Sequence, residues 1–77
     1  MEYYTITGLG RQVIAQLRET GKDDEADILD FLRVNGASTA QRISDNLPLI
    51  NESEARFKLS NLAREKWVKR RRTKTAM

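Results

Sequence analysis

The stretch S-T-A-Q-R-I-S-D-N-L-P-L-I-N-E-S-E-A-R-F-K-L-S-N-L-A-R-E-K-W-V-K-R, Ser38 to Arg70, decides how this chain of 77 residues is read. Ser38 and Gln41 have capping-box spacing, in which each side chain satisfies a free N–H at a helix start. Ala40, Ile43 and Leu47 then follow at helical spacing, and Pro48 stops the helix. After the turn P-L-I, Asn51 and Glu54 repeat the capping pattern. Ala55, Leu59 and Leu62 lie at i, i+4 and i+7 and give the second helix a buried stripe. Ser53, Arg56, Ser60, Asn61 and Arg64 fall on its opposite face, with Lys58 to one side. Trp67 to Arg71 reads as a strand.

Upstream, Tyr3 to Thr7 is aromatic and β-branched, a second strand closed by Gly8. Thr7 caps a helix over Leu9–Glu19, with Leu9, Val13, Ile14 and Leu17 as its apolar face and Thr20-Gly21 as its end. Asp23 and Asp24 offer the next N-cap, with acid where the helix dipole favours it. Ala26, Ile28, Leu29, Phe31, Leu32 and Val34 make this helix the most apolar, so it is expected at the centre of the core. Asn35-Gly36 ends it. The fold class is thus mainly α with a small β element, in a single domain spanning 1–77.

Charge is unevenly distributed. Residues 1–50 carry five Lys/Arg and eight Asp/Glu (5 − 8 = −3), and residues 51–77 carry nine and three (9 − 3 = +6), which together give the net +3. A basic part beside an acidic part points to one polyanion-binding face. The chain has no cysteine and no histidine, which removes disulfides, thiolate metal sites, and the commonest general base and metal ligand. No apolar run approaches the roughly 20 residues that cross a bilayer. A soluble, cytoplasmic, non-enzymatic protein is expected, without cofactor, metal or small-molecule ligand.

The order of the last segments resembles a known family. Residues 24–72, above all L-x-x-L-x-x-x-x-W-V at Leu59, Leu62, Trp67 and Val68, are similar to the winged helix-turn-helix domains of prokaryotic and prokaryotic-virus transcriptional regulators. In that family a glycine usually stands where this chain has Lys66. The resemblance implies a helix-turn-helix over about 39–66 and double-stranded DNA as partner. A recognition helix over about 51–66 would enter the major groove. Ser53, Arg56, Phe57, Lys58, Ser60, Asn61 and Arg64 would be its DNA-facing residues. Arg56 would fork onto guanine, Asn61 would read adenine or hold phosphate, and Phe57 would press on a thymine methyl. Lys69, Arg70, Arg71, Arg72 and Lys74, in the basic tail 69–77, would hold phosphates as a wing. A homodimer would match a palindromic site.

A wing needs two strands, and only five residues follow Arg72. Y-x-I-T-x-x-G-R-x-x-x-x-x-L, Tyr4 to Leu17, resembles the segment that leaves the wing and enters the last helix in many winged-helix regulators. Here it comes first. The expectation is a permuted order, in which Tyr3–Thr7 pairs with Trp67–Arg71 as the missing wing strand, within one chain or between two.

Other readings carry less. Asp23 to Asp30 lacks the glycine and alternating ligands of a calcium loop, and its apolar positions fit a helix. Gly8 and Gly10 lack the rest of a dinucleotide fingerprint. Single-stranded nucleic acid calls for an exposed aromatic pair, which the pattern lacks. A winged-helix protein-interaction module is the alternative, favoured by Glu52, Glu54 and Phe57. The acidic pair also has an ordinary role at a helix N-terminus, and Trp67 follows the core phase of Leu59 and Leu62.

Overall fold

The computed structural model describes residues 2–72. Its elements are β1 (Glu2–Ile6), α1 (Gly8–Glu19), α2 (Asp23–Asn35), α3 (Ala40–Asn46), α4 (Glu52–Arg64) and β2 (Val68–Arg72). Residues 73–77, and with them Lys74, lie outside the described residues.

The expected architecture of four helices with a small antiparallel sheet is present. β1 pairs with β2 within the chain, Glu2 opposite Arg72 and Ile6 opposite Val68. Each strand is displaced by one residue from the span its composition suggested. On the far side of β1, Tyr4 bridges to Ser38: the Tyr4 N–H donates to the Ser38 carbonyl at 2.9 Å and the Ser38 N–H returns the bond at 3.1 Å. β1 is therefore the middle member of a three-part sheet, between β2 and the α2–α3 connection.

Ser38 consequently does not cap α3. Its hydroxyl donates to the Gly36 carbonyl at 3.0 Å and the residue is buried. Thr39 caps instead, accepting from the Arg42 N–H at 3.1 Å. The strand-like bridge at Ser38 draws that residue out of the cap position, and Thr39 has the same oxygen to offer. Lys22, not Asp23 or Asp24, is the N-cap residue of α2, and it makes no side-chain cap bond. Both aspartates lie inside the first turn with Glu25, so their contribution is to the dipole alone.

α2 supplies the centre of the core, with Ala26, Ile28, Leu29 and Leu32 buried. α1 packs against it through Leu17, with Val13 and Ile14 at the margin. Leu9 and Val34, read as apolar-face residues, are exposed. At Leu9 the helix turns Gly10 inward, because the backbone of Trp67 passes so close that an added Cβ would collide with its carbonyl oxygen and with Ile6 Cγ1. The third wall is α4, which buries Ala55, Leu59 and Leu62 as its spacing predicted. Val68 closes the core and Trp67 packs on its edge, half-buried.

Candidate nucleic-acid interface

Two local devices set the orientation of α4. The turn before it runs Leu47-Pro48-Leu49-Ile50, with the Ile50 N–H donating to the Leu47 carbonyl at 3.0 Å. Proline in the second position presets the required φ. Ile50 is buried as a plug, while Leu49 points out. Asn51 then caps α4, its side chain accepting from the Glu54 N–H at 2.8 Å as the capping pattern predicted, whereas the Glu54 carboxylate accepts from the Asn51 side-chain amide at 2.9 Å in place of the backbone N–H.

The far end of α4 closes in a Schellman motif. The Lys66 N–H donates to Ala63 at 3.0 Å and the Trp67 N–H to Leu62 at 2.9 Å. α1 ends the same way, with Gly21 donating to Arg18 at 3.2 Å and Lys22 to Leu17 at 2.8 Å. The left-handed position is Gly21 in one motif and Lys66, at φ 65°, in the other. The place where a glycine was expected thus has the glycine conformation with a lysine in it.

With Ala55, Leu59 and Leu62 turned inward, helical geometry puts Ser53, Phe57, Ser60 and Arg64 along the crest of α4. All four are exposed, Phe57 by 68%. Two of the candidates on the flanks are already paired. Arg56 reaches Glu52 at 2.9 Å on the flank that faces Tyr4, Thr39 and Gln41 across a shallow groove. On the other flank, half-buried Lys58 approaches Asp24 of α2 at 3.9 Å. Asn61, also half-buried, lines a depression with Lys22, Glu25 and Trp67. The seven residues singled out on this helix therefore divide into a crest of four, Arg56 beside it, and a pair, Lys58 and Asn61, turned toward α2.

β2 follows α4 directly and carries Lys69, Arg70, Arg71 and Arg72, all exposed. Strand alternation divides them. Arg70 and Arg72 share the face of Val68 and stand opposite Tyr4 and Glu2, whereas Lys69 and Arg71 occupy the other face. The Arg72 guanidinium donates to Glu2 through Nε at 3.3 Å and Nη2 at 3.2 Å. That bond, with the nearby charges of Arg70 and Arg72, holds the Glu2 carboxyl below its ordinary range despite some desolvation. The Tyr4 hydroxyl donates to the same carboxylate at 3.3 Å. Burial, and then the Glu2 charge, push its phenol upward.

Comparison with protein-family models, with curated proteins and with solved structures found no match. What can be said of the site therefore rests on its own geometry. Glu2, Tyr4 and Lys66 belong to it and were not singled out as site residues. The first two stand opposite Arg72 and Arg70 through the register of the expected β1–β2 pairing, and no local pattern sets that register. Lys66 was visible as a departure from the glycine expected there.

Proposed function

We propose that this chain is a winged-helix protein that binds double-stranded DNA, with α4 in the major groove and β2 against phosphates, and that it acts as a small transcriptional regulator. The observation that carries the reading is the succession of the two elements: the exposed crest Ser53, Phe57, Ser60, Arg64 leads through the Lys66 turn into a strand that packs beside the same helix and carries four exposed cations, Arg70 and Arg72 on one face and Lys69 and Arg71 on the other. A helix about as wide as the major groove, followed by a basic strand, suits a duplex: base edges meet the helix and phosphates meet the strand. Sheet order supports it as well. Ser38, β1 and β2 follow one another across the sheet as the strands of a winged helix do, with β1 in the place of the returning wing strand and α1 in that of the helix after it.

The ion pair of Arg56 weighs little against this role. Both partners are largely exposed, 68% and 42% at the side chain, so the bond is worth about 0.5 kcal/mol or less. A bidentate contact with guanine is worth about 1–3 kcal/mol, enough to draw Arg56 away from Glu52.

The test is fluorescence anisotropy with a random-sequence duplex and a short RNA at about 50 and 200 mM salt, the range over which released counterions change affinity most visibly. Duplex binding that falls steeply with salt, and exceeds RNA binding, is expected. No binding to either would overturn the proposal. The second reading, a protein-interaction module, is favoured by the exposed Phe57 and Leu49 and would then lead.

A further inference from the structure

Among the described residues, the outer edge of β2 is unused. The ladder pairs Thr5 with Lys69 and Tyr3 with Arg71, and it is continued by the Thr7 N–H, which donates to the Trp67 carbonyl at 3.0 Å. In an antiparallel ladder, residue pairs that exchange hydrogen bonds alternate with pairs that do not. Tyr4 fixes the phase independently, because its N–H and C=O both turn away from β2 to Ser38. The pairs Ile6–Val68, Tyr4–Arg70 and Glu2–Arg72 are then the non-bonded ones. The N–H and C=O groups of Val68, Arg70 and Arg72 therefore point to the far side of β2; Val68 is buried, and those of the exposed Arg70 and Arg72 form the open edge, where among the described residues none takes them.

We infer that this edge accepts an extended acidic segment of a partner protein as an added β-strand. The edge offers donors and acceptors in alternation, and a second peptide backbone matches both. A phosphate could take the N–H groups but would meet the carbonyl oxygens between them. A second copy is disfavoured by charge: centred on Arg70, β2 against β2 would set Arg70 opposite Arg70 and Lys69 opposite Arg71, and like charges directly opposite are destabilising. An acidic strand reverses that sign, with Lys69 and Arg71 facing its carboxylates on the face away from the core. At the start of the edge lies a shallow depression lined by Thr7, Ala63, Lys66, Val68, Lys69 and Arg70, with room for a small side chain flanked by carboxylates that meet its three cations. The fitting segment thus alternates acidic residues with small ones. Such a strand would cover the cations assigned to phosphates, so partner and duplex would compete. The backbone geometry behind it stands apart from the DNA reading.

The probe is the peptide E-T-E-V-E-T-E added to the isotope-labelled chain, with amide hydrogen exchange read residue by residue. Two further peptides carry N-methyl groups on one or the other alternate set of amides. Strand addition slows exchange at Arg70 and Arg72, whose amides face outward at the exposed end of the edge, and changes Lys69 and Arg71 little. It also makes one methylated peptide roughly tenfold or more weaker, because its bonding amides are blocked, while the other keeps most of its affinity. Equal binding of all three peptides would mean attachment by charge alone and would overturn the inference, as would absence of binding. A chain that binds duplex but fails these tests keeps the DNA reading and loses this one.

Discussion

The Thr7 hydroxyl donates to the Lys66 carbonyl at 2.8 Å and accepts the Gly10 N–H at 3.0 Å. One side chain thus caps α1 and ties it to the turn that leads from α4 into β2. Gly10 reinforces the joint, since only a residue without Cβ lets α1 lie against the Trp67 carbonyl. The basic strand is positioned from both sides of this junction.

Thr7→Ala removes both bonds and is expected to lower stability by about 1–2 kcal/mol, as loss of a cap does. Thr7→Ser keeps the oxygen and should recover most of it. Urea unfolding of the two variants checks this, and equal losses would show that the methyl group, rather than the hydroxyl, matters.

Gly10→Ala places a methyl group against backbone that cannot move without breaking the Thr7–Trp67 bond. A loss of about 1–3 kcal/mol is expected from overpacking. Gly8→Ala, where an added Cβ meets nothing within 4 Å, is the control and should not lose stability.

Lys66 stands at φ 65°, a conformation in which a Cβ is strained. Lys66→Gly should raise stability by up to about 1 kcal/mol, net of the freedom glycine gains in the unfolded chain. Lys66→Val should lower it, because β-branched residues tolerate this region worst. Thermal unfolding of both variants reads the sign.

The sheet should respond to pH at both extremes. The Glu2 carboxyl lies below its ordinary value of 4.5, so its contribution is present above that pH and is lost as pH falls through the lowered value. The Tyr4 phenol lies above its ordinary value of 10.0, so its contribution is complete below pH 10 and is lost as pH rises through the raised value. Amide signals of β1 and β2 followed over pH should show the Glu2–Arg72 end loosening first in acid. Tyr4→Phe should blunt the alkaline transition, and an unchanged alkaline limb would show that another group controls it.

On DNA, Arg56→Ala should cost about 1–3 kcal/mol at a preferred site and relax its specificity. Arg71→Ala should weaken all sequences alike and flatten the salt slope by about one unit. Glu52→Gln, which frees Arg56, should tighten binding. Identical effects of Arg56→Ala and Arg71→Ala on every duplex would leave only non-specific attachment.

What the sequence by itself determined is what short-range physics controls. Helix phases follow from apolar spacing, so Ala55, Leu59 and Leu62 could be placed in the core and the crest of α4 assigned by difference. Caps and stops act within four residues, which is why Thr7, Asn51 and Pro48 were legible. The pairing of β1 with β2 was also foreseeable, because each is a lone strand that must satisfy its backbone groups somewhere. Only the tertiary structure decided the rest. The Ser38 bridge moved the α3 cap to Thr39. Packing of α4 on α2 turned Lys58 toward Asp24 and Asn61 toward Lys22 and Glu25. The ladder register divided the basic strand into Arg70 and Arg72 facing Tyr4 and Glu2, and Lys69 and Arg71 facing away. Each of these depends on residues brought together from distant parts of the chain, and a one-residue slip in register would exchange the two faces of the strand.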